Sequence, residues 1–444
     1  MKKVVFLLVM IGGMGVEAYG QIMFEKMYKD VMLPSQAQEV IQTSDGGYVL
    51  LKNRIEIACV NVNTSLIKTD SLGNILWSKY YSILSGCSNC DQPSYFSQTS
   101  DGGFIISGQI ITYNSKPSLY LIKTDSAGNE QWRHVYSLPS YFTTGNPGYG
   151  YSVLRNRGIP VKQMDDGGFI FQGNIYNLDS NVCSFIMIKT DSSGSTGSML
   201  WSKRFNTTYR NAGNNFDLIG NGISQGIIFC SEINDVGTSS LLITRIDNNG
   251  NMLWSKMYPV NSTQISIGGN YISKTMDNGF IVTGRISINQ SNWNIFALKT
   301  DSLGNIEWLM KYDCDSIYHC WGITIKQTYD GNYIMAGTIA LGAHPEKANS
   351  ILLKIDNYGN YLWSKSYFVN NKYDYTINAI QTSDGGYAFC GCVYDNIPND
   401  TNSYVYFVKT DSVGNTNCND SSFTVAQNAI NLISLMFIFY LFKI

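Results

Sequence analysis

Charge is scarce in this chain. Asp, Glu, Lys and Arg make up 14% of its 444 residues, well below the quarter usual for a folded domain. The two signs nearly cancel, leaving a net charge of -2. That balance excludes the basic footprint of a nucleic-acid binder. Histidine is scarcer still, with 3 in the chain. Cys87-Ser88-Asn89-Cys90 has the local spacing of a zinc half-site, but there is no second Cys-x-x-Cys and His319 beside Cys320 is the one nearby imidazole, so the four ligands of a structural zinc are not assembled and no metal is assigned. No EF-hand loop is present, and the Gly-rich turns are not followed by a helix that could offer its dipole to a phosphate.

What the chain has instead is a repeat. Gln-Thr-Ser-Asp-Gly-Gly-Tyr at Gln42 to Tyr48 returns at Gln98, Gln163, Lys274, Gln327 and Gln381, with a worn copy at Gln225-Gly226. A second motif, Lys-Thr-Asp-Ser-Leu-Gly-Asn-Ile-Leu-Trp from Lys68 to Trp77, places its aspartates at Asp70, Asp125, Asp191, Asp247, Asp301, Asp356 and Asp411. A period of about 55 residues means stacked or radial units, none of which buries its apolar face alone. Each unit reads as four short strands rich in Ile, Val, Tyr and Phe, bounded by Gly, Asn and Asp. The fold expected is all-β, a seven-bladed β-propeller of four-stranded antiparallel blades.

The ends supply a test of that reading. After Asp411 to Asn415 the seventh unit lacks its Trp-Ser-Lys strand, while Met23-Phe24-Glu25-Lys26-Met27-Tyr28 has that pattern with Phe24 in the tryptophan place and no strands before it. The N-terminal strand is therefore expected to pair with the last blade and close the ring, which removes its open edges. Residues 1–20, Lys2-Lys3 followed by an apolar stretch and small residues at Ala18 and Gly20, read as a secretory signal peptide. Residues 21–417 read as the propeller, and 418–444 as an apolar tail with no recognisable sorting domain. For that tail three readings stay open: a short anchor, an extra buried strand, or the residue of a damaged reading frame. The expected location is exported: extracellular, cell surface or periplasmic, with membrane contact only through the tail.

The second motif resembles the blade repeat of quinoprotein-type propellers. It is closer to the repeats of exported propellers associated with type IX secretion, which read Gln-Thr-x-Asp-Gly-Gly-Tyr and then Lys-Thr-Asp-x-x-Gly-Asn. The likeness runs from Met23 to about Asn415 and implies the fold. Two features of those families are missing here: the β-sandwich sorting domain, and the clustered carboxylate, calcium ligands and adjacent-cysteine disulfide of a quinone-dependent dehydrogenase.

A motif copied seven times is scaffold. The aspartates of the Asp-x-x-Gly-Asn turns can accept hydrogen bonds from following amides while their glycines take positive φ; calcium is the alternative, and no cofactor is predicted. Trp77, Trp132, Trp201, Trp254, Trp308 and Trp363 recur in register and are expected to pack between blades. Because strands alternate direction, both tight turns of each blade fall on one face, and the variable loops and blade connections fall on the other. There lie Tyr136, Tyr141, Phe142, Tyr149 and Tyr151 of the longest connection, with His134, Arg155 and Arg157 nearby, and the out-of-register Trp293 and Trp321. Aromatics among Asn, Ser and Thr suit a glycan or protein ligand. The function expected is a noncatalytic exported propeller presenting these loops. The alternative is a polysaccharide-active hydrolase or lyase whose carboxylates come from several blades, with Glu56, Asp217, Glu232, Asp235, Asp313, Asp315 and Glu346 as candidates. Cys87 with Cys90, and Cys314 with Cys320, are local pairs that disulfides would staple, whereas Cys230 and Cys390 read as small buried hydrophobes.

Overall fold

Short β-branched and aromatic runs punctuated by Asp-Gly and Gly-Asn satisfy their backbone groups most economically as antiparallel hairpins, and the chain does so throughout. The computed structural model describes residues 21–443 except 30–34, 55–63, 84–88, 113–117, 138–141, 144–158, 178–181, 207–209, 223–224, 236–237, 259–264, 289–291, 315–317, 342–347, 370–371, 395–402, 417–419, 423–424, 431–434 and 437–439. The described strands form seven antiparallel sheets, the blades of a propeller. The first blade is Ser35–Gln42, Tyr48–Arg54, Thr64–Thr69 and Ile75–Tyr81, and the fifth is Ile265–Lys274, Phe280–Ile288, Trp293–Thr300 and Ile306–Asp313. A 3-10 turn, Thr196–Ser198, absorbs the insertion ahead of Trp201.

The ring closes as the ends of the sequence require. Phe24–Tyr28 pairs antiparallel with Ser403–Thr410, Phe24 opposite Lys409 and Tyr28 opposite Val405. Phe24 sits 5.1 Å from Phe407 and 6.2 Å from Tyr48, ring to ring, and so joins the seventh blade to the first. Gln42 adds a polar latch, its Oε1 accepting the Ser383 amide at 2.7 Å.

The repeated residues explain one another. In the Asp70 turn, one carboxylate oxygen accepts the Leu72 and Asn74 amides at 2.9 and 2.8 Å and the other accepts the Asn74 side chain at 2.9 Å. The turn glycine is held from the neighbouring blade: Tyr81 donates to the Gly128 carbonyl at 2.7 Å, as Tyr258, Tyr312 and Tyr367 do to Gly304, Gly359 and Gly414. The register tryptophans lie beside the same glycines and meet the next blade's second strand, Trp132 against Phe169 at 5.6 Å and Trp363 against Tyr387 at 5.7 Å.

A further repeat joins the two kinds of turn. The lysine of Lys-Thr-Asp is buried and reaches the aspartate of the Asp-Gly-Gly turn, as in Lys68–Asp45 at 2.9 Å, Lys189–Asp166 at 2.6 Å and Lys409–Asp384 at 2.9 Å. The fourth blade has no such aspartate and carries Arg245 in the lysine's place. In the outer strand Trp77 pairs with Lys68 and Ile75 with Thr69, so Leu76 bulges out of the ladder and is exposed.

The C-terminal segment forms strands. Asp420–Ser422, Ala426–Ala429, Leu435–Met436 and Tyr440–Lys443 add in turn to the outer strands of the sixth, fifth, fourth and third blades. Val425 is buried with the cluster shared by the fifth and sixth blades, and Ile430 packs on the cluster shared by the fourth and fifth. Among the described residues no helix is long and apolar enough to cross a membrane.

Candidate binding site at the loop-rich end

Second strands end, and third and first strands begin, on the face opposite the tight turns. At that end of the fourth, fifth and sixth blades, side chains that do not belong to the repeat meet. Arg285 donates from Nη2 to Glu232 at 3.0 Å and lies 4.7 Å from the ring centroid of Trp293. The Trp293 amide donates to His319 Nδ1 at 3.0 Å, and the His319 ring stacks on Trp321 with centroids 6.2 Å apart. Partial burial lowers the His319 pKa, which favours the neutral ring that an accepting Nδ1 requires. The Cys314–Cys320 disulfide closes the connection immediately before Trp321. Glu232 is buried where Gly268 gives it room, since a Cβ on Gly268 would stand 2.5 Å from the carboxylate.

Trp293 and Trp321, which sequence separates into a loop and a first strand, are thus linked through His319. Tyr136 lies elsewhere: it is the register tyrosine of its outer strand, four residues after Trp132, buried with its hydroxyl on the Gly194 carbonyl. Phe142 is in a two-residue strand opposite Asn177. Tyr141, Tyr149, Tyr151, Arg155, Arg157 and Cys87 fall outside the described residues, as does the side chain of Cys90. His134 packs on Trp132 at 5.0 Å. Of the candidate carboxylates, Glu232 belongs to this site, and Asp313 pairs with Lys311 at 2.8 Å and with Asn428 of the C-terminal segment. Glu56, Asp315 and Glu346 fall outside the described residues. Cys230 and Cys390 are buried. Among the described residues no group of three or more His, Cys, Asp or Glu is placed to hold a metal ion.

Asp217 marks a second constellation. Each inner strand contributes one residue to a polar ring: Glu39, Tyr95, Lys162, Asp217, Tyr271, Lys326 and Asn378. Lys162 pairs with Asp217 at 2.6 Å, and Lys326 lies 5.9 Å from the Tyr271 ring centroid. Burial pushes the Glu39 carboxyl up to about 7, against the opposing pull of Lys326, Lys162 and the Asn378 hydrogen bond. At Asp217 burial also acts upward, but Lys162 and the Lys274 and Leu218 amides outweigh it and the pKa is lowered. The sequence signal for this ring was variation within the inner strands, where Glu39 and Asn378 occupy a place held by Tyr95 and Tyr271 in other blades.

No family model matches the chain, and no curated protein matches it. Solved structures of low similarity do. One is a protein of unknown function from Dyadobacter fermentans, 10% identical over 87% of this chain and 99% of that one, with a TM-score of 0.43. Others are the WD40 domain of SCAP from fission yeast, at 7% identity over 87% and 98% with a TM-score of 0.31, and a β-1,2-mannobiose phosphorylase from Listeria innocua, at 8% over 88% and 97% with 0.29. Likeness at this level carries no functional argument. The seven-bladed assignment stands on the strand pairings themselves.

Proposed function

We propose that the protein is an exported, noncatalytic propeller that binds a glycan at the loop-rich end of its fourth to sixth blades. The observation that carries this reading is the Trp293 constellation. Arg285 lies over the indole and is braced by Glu232, while the Trp293 amide is tied to His319. An aromatic ring fixed in plane suits the apolar face of a sugar, and guanidinium, carboxylate and imidazole groups beside it suit hydroxyls. Export is supported by the residues ahead of Gln21 and by the resemblance to type IX-associated repeats. The test is a glycan array with the full chain: binding that is lost in Trp293→Ala and in Arg285→Ala supports the reading, and equal binding by both variants sinks it.

A second reading, hydrolysis or lysis of polysaccharide, has one observation in its favour. Glu39 and Asp217, from opposite sides of the ring, meet in one polar cluster, and Glu39 is tuned to the neutral range where a general acid works. Turnover of any glycan that disappears in Glu39→Gln would replace the binding reading with this one.

A further inference from the structure

The tight-turn face departs from its repeat in the third and fourth blades, and again further round the ring. Between the fifth and sixth blades a groove of about 590 Å³ opens, walled by Met276, Trp308 and Tyr358 and floored by Lys299, Asp277 and Glu307. Three of these residues depart from what other blades carry. Met276 stands where Ser44, Ser100 and Ser383 stand and where the sixth blade has Tyr329, and Tyr358 stands where Leu72 and Leu303 stand. Glu307 takes the bulge position of Leu76, Leu200, Leu253 and Leu362, because Trp308 pairs with Lys299 and Ile306 with Thr300; the second blade has the uncharged Gln131 there, so a carboxylate at this position is particular to the fifth. Met276 and Tyr358 are 67% and 68% exposed, so neither departure serves the core.

The charge count differs as well. Lys68 and Lys409 each face one turn aspartate. Lys299 faces two carboxylates, Asp277 at 2.7 Å and Glu307 at 2.9 Å, which leaves the floor with one surplus negative charge. Partial burial acts upward on Asp277, but bonds from Lys299, Thr275 and the Gly279 amide outweigh it and hold the carboxyl at about 2. Asp277 is thus charged at neutral pH. An indole, a phenol and a thioether above an anionic floor match a cation on an apolar stem, whose methylenes lie along the walls while its head meets the carboxylates.

We propose that this groove is a second binding site, which takes the guanidinium or ammonium group of an arginine or lysine side chain from a protein partner. It is separate from the glycan site and does not depend on it. The experiment is methyl NMR on the full chain labelled at methionine, titrated with agmatine as the guanidinium probe and with glucosamine as an amino-sugar probe. The Met276 methyl is assigned as the signal missing from Met276→Leu. The expected result is a saturable Met276 shift with agmatine that is at least ten-fold weaker in Glu307→Leu and also reduced in Tyr358→Leu. Both variants install residues that other blades already hold, and Glu307→Gln, which keeps shape and removes charge, carries the same expectation as Glu307→Leu. The proposal is overturned if agmatine gives no saturable shift, if the Glu307 variants bind as well as the parent, or if glucosamine binds as tightly as agmatine.

Discussion

The two faces of the propeller are made of the same strands and differ in how far their side chains are already spoken for. On the tight-turn face most of the repeated aspartates, lysines and register tryptophans are engaged by a repeated partner within the blade or the next, as with Asp70 and Asn74, Lys68 and Asp45, or Tyr81 and Gly128. At the loop-rich end Trp293, Arg285, Glu232 and His319 meet once. Repetition therefore marks residues that hold the ring together, and its interruption marks residues free to be used otherwise. The groove at Glu307 applies the same rule on the face where repetition otherwise dominates.

The largest test sets one tryptophan against another. Trp77→Ala removes an inter-blade contact and is expected to cost about 3 kcal/mol in urea unfolding, whereas Trp293→Ala is expected to cost about 1 kcal/mol or less and to abolish glycan binding. Equal losses of stability would erase the distinction between the faces. Next come two glycines of one conformation. Gly128 and Gly102 have φ of 76° and 79°, but a Cβ on Gly128 would stand 2.7 Å from Trp77, while on Gly102 nothing lies nearer than 3.9 Å. Gly102→Ala should cost about 1 kcal/mol, the price of left-handed backbone alone, and Gly128→Ala about twice that or more, read as thermal midpoints. Removing the disulfide with a Cys314→Ser, Cys320→Ser double variant should cost about 2 kcal/mol through the loop it closes and should weaken glycan binding by releasing His319.

The last test is the pH dependence of stability. Burial raises Glu39 and Asp374 to about 7 from 4.5 and 3.8. Between about pH 4 and 7 the folded state holds these protons more tightly than the unfolded chain, so stability falls as pH rises through that window. Asp45, Asp101 and Asp330 move the other way, to about 2. At Asp45 hydrogen bonds from Thr43 and Lys68 lead; at Asp101 and Asp330 burial opposes the shift but the lysine and threonine bonds prevail. Their contribution is lost as pH drops from about 4 to 2. Unfolding midpoints should therefore peak near pH 4 to 5, and Asp374→Asn should flatten the neutral side of the curve. A midpoint that rises from pH 5 to 7 would contradict the sign.

Most of the architecture was legible because a propeller writes its period into the chain. The closing strand could be read from Phe24 and Tyr28, which copy the Trp77 and Tyr81 spacing, and the blade count from seven turn aspartates. Tyr136 was open to the same reading, since the spacing from Trp132 matches that from Trp254 to Tyr258; its nearness to a long aromatic connection obscured this. The lysine–aspartate staples were visible as repeated letters but not as pairs, because Lys68 and Asp45 lie on different strands and only the sheet register brings them together. The axial ring and the Trp293 site were the least legible. Their members come from seven inner strands in one case and three blades in the other, and no local pattern links residues that only closure of the ring makes neighbours.

The C-terminal segment alters how such a ring comes apart. Identical units in a circle interact with nearest neighbours alone, and unfolding can start at any junction. Here one segment pairs with four consecutive blades in reverse order, from the sixth to the third, each taking its own short strand of that segment. The first, second and seventh blades carry no fifth strand among the described residues, and the junction of the seventh with the first is the seam that Phe24–Tyr28 closes. The molecule is thus a strapped arc and an unstrapped one, with its seam in the unstrapped arc.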